Sequence, residues 1–169
     1  MDHLQKEFSR IYDQYIGKIY RFVFLRVNST EAAQDLTSET FVRAWDRFKT
    51  GGSGPKVKNW AAFLYQIARN LVTDFYREKG KIQIVSASYV ADPNPALDLE
   101  NRAFLNSDVE QIKEALSRLG EEHQEVIIWR YLDGLSNKEI AEILDKPEGT
   151  VRVIIHRALE ALRQELGEA

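Results

Sequence analysis

The stretch from Asp133 to Leu162, DGLSNKEIAEILDKPEGTVRVIIHRALEAL, constrains the fold most, because it spells two short helices with almost nothing between them. Ser136 followed three residues later by Glu139 is a capping box: the hydroxyl accepts from the Glu139 amide while the carboxylate reaches back. Ile140, Ala141, Ile143 and Leu144 then share one side, and Ala141 is small enough for a second helix to cross closely. Asp145 and Lys146 make the turn. Pro147 suits the first position of the next helix, where its missing amide costs nothing, and Glu148 complements the positive end of the helix dipole. Helical spacing gathers Val151, Ile154, Ile155, Ala158, Ala161 and Leu162 in one apolar sector and leaves Arg152, Val153, His156, Arg157, Glu160 and Arg163 opposite. Such a pair is either an ordinary helical hairpin with a solvated face or a helix-turn-helix, whose second helix enters the major groove. Arginine there pairs with guanine, and phosphates accept from any cation. Cap, turn and register agree, which favours DNA reading.

The rest of the chain must support that element. Its 169 residues, 44% hydrophobic and 29% charged, are enough for one or two small domains, and the scarcity of strand-like alternation points to an all-α class. With no cysteine there is no disulfide framework, thiolate zinc site or thiol switch, which suits a cytoplasmic location. Neither a signal peptide nor an apolar run of membrane-spanning length is expected. The net charge of minus 3 is unevenly spread. Residues 1–81 hold 14 Lys and Arg against 9 Asp and Glu, residues 82–107 hold 1 against 3, and residues 108–169 hold 8 against 14. A basic N-terminal half can attract phosphates, whereas the helix-turn-helix half would bind DNA weakly alone and needs something to hold it in place.

Taken in order, Leu4, Phe8, Ile11, Tyr12, Tyr15, Ile19, Phe22 and Val23 predict a helix over residues 3–27. Thr30 is expected to cap a second, running to about Phe48, with Ala33, Leu36, Thr40, Ala44 and Phe48 inside. Asp35, Ser38, Glu39, Arg43 and Asp46 fall mostly outside, where spacing alone reads them as solvated. The glycines and proline of KTGGSGPKVK (49–58) stop the helix, and its lysines make a basic loop: a simple connector, or a means of following a single strand and accepting an unstacked base. Asn59 is expected to cap a third helix over 60–81, with Trp60, Phe63, Leu64, Ile67, Leu71 and Phe75 as its apolar stripe. Tyr65, Gln66, Arg69, Asn70, Tyr76, Arg77, Lys79 and Lys81 lean away, a mixture suited to stacking bases and gripping phosphates. Residues 82–107, with two prolines and no sustained period, read as an inter-domain linker. Beyond it Val109, Ile112, Ala115, Leu116 and Leu119 predict one helix, and Val126, Ile127, Trp129, Tyr131 and Leu132 another. The expected architecture is two small helical domains, 1–81 and 108–169, joined by a flexible linker.

These segments together resemble a bacterial sigma factor of the sigma-70 family, in the extracytoplasmic-function group that keeps only regions 2 and 4. The family's D-L-x-Q-E-T-F-x-x-A-W is matched by DLTSETFVRAW from Asp35 to Trp45, and its W-L-Y-R-I-A-R-N by FLYQIARN from Phe63 to Asn70. Region 4 is matched by GLSNKEIAEIL from Gly134 and PEGTVR from Pro147. The resemblance implies a transcription initiation factor, not an enzyme, that docks on core RNA polymerase, recognises minus 35 and minus 10 elements and promotes DNA melting. By position, Asp35, Ser38, Glu39 and Arg43 would contact the coiled coil of the β′ clamp. Lys56, Lys58, Tyr65, Arg69, Asn70, Arg77 and Lys79 would engage the minus 10 element, the loop and Asn70 lying where the family captures a flipped base. Thr150, Arg152, Val153, His156 and Arg157 would read the minus 35 element. The implied partners are core polymerase, through β′ clamp and β flap, promoter DNA, and an anti-sigma factor of the kind common in the family. A chain of this kind is monomeric when free of partners and does not insert into membranes.

Some positions depart from the family pattern. Ser38 replaces the usual glutamine, Phe63 the usual tryptophan, Gln66 a basic residue, and Gly120 the proline that often opens region 4. Val153, Ile154 and Leu159 stand where many relatives carry polar or basic groups, so fewer phosphate contacts are expected, with a methyl contact to thymine from Val153. The chief alternative is an operator-binding helix-turn-helix regulator, which would be a dimer on a two-fold site and bind without polymerase. A pure protein-interaction module would leave Arg152, Arg157 and Asn70 replaceable. His3, His123 and His156 lie on separate segments, with no H-E-x-x-H, phosphate loop or nucleophile motif, so no catalytic residue, metal or cofactor is expected.

Overall fold

The computed structural model of the chain describes residues 2–27, 29–50, 57–81 and 107–167, without the side chains at 79–81 and 107–110. Every regular element among them is helical and none is a strand, so the class is all-α. The chain divides into two compact units, Met1–Ala87 and Ser88–Ala169. The loop residues 51–56, with Lys56, and the linker predicted over 82–107, except for Ser107, lie outside the described residues.

Unit 1 packs three helices pairwise: α1 (His3–Val27), α2 (Thr30–Lys49) and α3 (Trp60–Lys81). Ile19, Phe22, Val23, Phe24 and Val27 of α1 are buried, against Ala33, Thr40, Phe41 and Ala44 of α2 and Leu64, Tyr65, Leu71 and Val72 of α3. The predicted stripe of α1 is fully buried only from Ile19 on: Phe8, Ile11 and Tyr15 are half-buried, and Leu4 and Tyr12 stay exposed. The α2 cap sits one residue earlier than predicted. Ser29 is extended and its Oγ accepts from the Ala32 amide at 3.3 Å, whereas Thr30 is the first helical residue and is buried. Asn59 does cap α3, its Oδ1 accepting from the Ala62 amide at 3.1 Å.

One end of unit 1 is an aromatic cluster. Phe8 meets Trp45, Phe48 and Trp60 at centroid separations of 5.1, 5.7 and 6.3 Å, and Trp60 meets Phe48 at 5.5 Å and Phe63 at 5.6 Å. Tilted and edge-on aromatic pairs of this kind add about 0.5–1.5 kcal/mol each beyond the area they bury. Because Phe48 closes α2 and Trp60 opens α3, the cluster fixes both ends of the basic loop. At the other end the Tyr76 hydroxyl donates to the Arg26 carbonyl, tying the last turns of α3 to the end of α1.

Unit 2 contains α4 (Ser107–Ser117), α5 (Glu121–Ile127) running into a π-helical turn (Ile128–Leu132), α6 (Asn137–Leu144) and α7 (Glu148–Glu165). Trp129, Val126, Ile128, Ile140, Val151 and Ala158 form its centre, each 1% exposed or less. In the π turn the Asp133 amide donates to the Ile128 carbonyl at 3.0 Å and the Leu135 amide to the Trp129 carbonyl at 2.8 Å. That wider winding breaks the helical period, so Trp129 stays buried while Tyr131 and Leu132, predicted to face the core, are 53% and 45% exposed. Ile112, predicted for the core side of α4, is also exposed. Gly134, at φ +70, supplies the left-handed step that returns the chain to Ser136.

Candidate nucleic-acid interface

The helix-turn-helix is built as its local chemistry requires. Ser136 Oγ accepts from the Glu139 amide and the Ser136 amide donates to Glu139 Oε1, both at 3.1 Å. The α6 helix closes on Asp145 in the left-handed region, at φ 54 and ψ 50, and the Lys146 amide donates to the Ala141 carbonyl at 3.1 Å. Aspartate tolerates this conformation better than most residues, which lets the turn be as short as it is. Lys146 Nζ, 2.6 Å from Glu122 Oε2, ties the turn to the first residues of α5. Pro147 is the cap of α7 and not its first helical residue: it is extended, at φ −61 and ψ 147, and its carbonyl accepts the first helical bond from Val151.

Packed on α5 and α6, α7 buries Val151, Ile154, Ile155 and Ala158. Ile154 therefore belongs to the core, and Leu159 is only half-buried, so of the three unusual apolar residues Val153 alone lies on the outer face. Thr150, Arg152, Val153, His156 and Arg157 are all exposed, one connected surface along α7. Arg152 Nη2 lies 3.1 Å from Glu148 Oε1, one turn back. Exposed pairs at that spacing stabilise by about 0.3–0.5 kcal/mol, little enough for the guanidinium to exchange its partner for a phosphate.

Unit 1 offers two further surfaces. Asp35, Ser38, Glu39 and Arg43 are exposed on α2, with Arg43 Nε 3.0 Å from Glu39 Oε1. On α3, Asn70 and Arg77 are exposed and Arg69 is half-buried; Lys58 is exposed just before the helix, and Arg77 lies 4.0 Å from Asp74. Tyr65 is not on this surface. It is fully buried, its ring edge-on to Phe22 at 5.5 Å, and it belongs to the core of unit 1. Small side chains at Ala61, Ala62 and Ala68 let the neighbouring helices approach α3, turning its buried sector towards Tyr65 and Val72 and leaving Trp60 and Phe63 at the rim. Lys56 and the side chain of Lys79 lie outside the described residues.

Sequence reasoning missed the Glu122–Lys146 tie, whose partners are 24 residues apart with no local pattern joining them, and the exposure of Tyr131 and Leu132. Among the described residues no group of three His, Cys, Asp or Glu could hold a metal, and no helix is long and apolar enough to cross a membrane.

Residues 11–82 match the Sigma-70 region 2 family model and residues 109–162 that of Sigma-70, region 4. The chain is 35% identical over 156 residues to the ECF RNA polymerase sigma factor BldN of Streptomyces coelicolor, a match covering 92% of this chain but 58% of that protein. It is 31% identical over 171 residues to the ECF RNA polymerase sigma factor SigW of Bacillus subtilis, covering 96% of this chain and 90% of SigW. Two solved structures share the fold at a TM-score of 0.71: the sigma factor RpoE in complex with the anti-sigma factor NepR from Bartonella quintana, 22% identical over 96% of this chain and 98% of that one, and CnrH in complex with the cytosolic domain of CnrY, 21% identical over 96% and 89%.

Proposed function

We propose a division of labour for a chain that belongs to the sigma-70 family of RNA polymerase sigma factors, in its extracytoplasmic-function group: unit 1 docks on core polymerase and opens the promoter, and unit 2 supplies the upstream address. The protein is a transcription initiation factor, and it contributes binding energy instead of covalent chemistry. Domain boundaries at 1–81 and 108–169 belong to the same reading.

The observation that carries it is the surface of α7, where Thr150, Arg152, Val153, His156 and Arg157 are exposed together on a helix held from behind by its buried face. A helix so presented fits the major groove and reads the minus 35 element. The unit that carries it holds an excess of acidic residues, so it binds DNA weakly alone and depends on polymerase for its position. Asp35, Ser38, Glu39 and Arg43 make the clamp-binding face. Exposed Tyr131 and Leu132 add apolar area for a second polymerase contact, at the β flap. Lys58, Arg69, Asn70 and Arg77 take the minus 10 strand, and Lys56 and Lys79 add positive charge for it by their place in the sequence. Unstacking a base costs a few kcal/mol, so opening needs both a place for the base and polymerase-binding energy to offset the cost. The factor acts where polymerase does, in the cytoplasm, as a monomer when free, and an anti-sigma factor covering the docking face is its antagonist.

Run-off transcription with purified core polymerase on a promoter library tests this reading. Stimulated initiation on a subset of templates sharing two spaced elements is the expected result, and no stimulation on any template would sink it.

A further inference from the structure

We propose that Val153 selects thymine at one position of the upstream element, by apolar contact with the thymine methyl; the proposal rests on the DNA-reading role given to α7 above. Val153 is 48% exposed, and among the described residues of α7 it is the one large apolar side chain turned outward to that degree. Its absence from the core matters: Val151, Ile154, Ile155 and Ala158 bury α7 without it.

A single exposed valine is ordinary on a protein surface; the surroundings give this one its meaning. Helical side chains lean over the turn N-terminal to their own backbone, so the Val153 methyls overlie the turn that holds Gly149 and Thr150. Gly149 carries no side chain, so that position adds nothing that could cover Val153. Arg152 is drawn back towards Glu148, and Arg157 lies one turn further on. The β-branched side chain has one strongly preferred χ1 in a helix, so its two methyls are held in place before DNA arrives.

The floor of the major groove is a pattern of donors and acceptors with one apolar feature, the thymine C5 methyl. Pressed against N7, O6 or N4, Val153 would strip water from a polar group and return no hydrogen bond. Against the methyl, both partners leave water and nothing polar is stranded. Thymine is thus selected twice, by attraction to it and by the penalty at other bases.

The test needs only the full chain and core polymerase. A promoter is selected from a library randomised in the upstream element, and each thymine in that element is replaced singly by deoxyuridine, which removes only the methyl. At one position the replacement should lower initiation at subsaturating polymerase about fourfold, the factor that burying one methyl-sized group contributes. With Val153→Ala, a change that suits an exposed helical site, the same replacement should have no effect. The proposal is overturned if no position in the selected element prefers thymine, if no replacement has an effect, or if Val153→Ala stays equally sensitive. Failure of the unaltered chain to initiate on any template would overturn the DNA-reading role itself, a separate outcome.

Discussion

Lys146 Nζ and Glu122 Oε2 stand 2.6 Å apart, so the turn of the helix-turn-helix is fastened to the start of a helix 24 residues earlier in the chain. Both side chains are more than a third exposed, at 38% and 36%, and solvent screens them accordingly. A double-mutant cycle with Lys146→Met and Glu122→Gln, read by urea denaturation of the full chain, should give a coupling of about 0.5–1 kcal/mol at low salt. The coupling should shrink at about 1 M salt, where the screening length falls to about 3 Å. A coupling indistinguishable from zero at low salt would show that the pair does not hold the turn.

Tyr65 supplies a second prediction, because its burial against Phe22 separates a core role from a DNA role. Tyr65→Ala should destabilise unit 1 by about 3–5 kcal/mol, as other large-to-small changes at buried rings do. Tyr65→Phe keeps the ring and should leave promoter opening unchanged, measured by permanganate reactivity of unpaired thymines. Lost opening with Tyr65→Phe at unaltered stability would restore the residue to the DNA surface.

For the docking face, reversing one charge is more informative than removing it. Glu39→Lys breaks the 3.0 Å pair with Arg43 and places two cations one turn apart on exposed α2. Stability should change by no more than about 0.5 kcal/mol, while affinity for core polymerase, measured by competition with a labelled unaltered chain, should fall at least tenfold. Unaltered affinity would remove this face from the docking surface.

Arg157, exposed on α7, distinguishes a base contact from a phosphate contact. If its guanidinium pairs with guanine, Arg157→Ala should cost about 1–3 kcal/mol and relax the preference at one base pair of the upstream element. A phosphate contact would instead weaken all templates alike and lower the salt dependence of binding by about one counterion. Promoter-library transcription at two salt concentrations separates them, and no effect of either kind would take Arg157 out of the interface.

The parts legible in the sequence were those whose causes are local. Ser136 and Glu139, or Asn59 and Ala62, are three residues apart, so their hydrogen bonds follow from spacing alone. Ser29 and Pro147 each displaced a predicted helix start by one residue: Ser29 takes the cap while Thr30 is buried as the first helical residue, and Pro147 is extended and stands as the cap of α7. Tyr65 was misplaced for a larger reason. A single stripe of large apolar residues marks the core face of a helix packed on one side, but α3 packs on both α1 and α2, and its alanines set the close approach. Tyr131 and Leu132 were misplaced because a π turn has no signature in a 3.6-residue period. The surface of α7 was readable because Val151, Ile154, Ile155 and Ala158 repeat at that period without interruption.

Phe48 and Trp60, 5.5 Å apart at the two ends of the basic loop, have a consequence for how such a factor can change over generations. The clasp is made by residues outside the loop and would survive any exchange of the residues within it. Lengthening a closed loop costs little, about 0.6 kcal/mol for each doubling. The segment between the two rings can therefore be inherited as a cassette, altered in length and composition to suit a new promoter while the three-helix body that holds it stays the same.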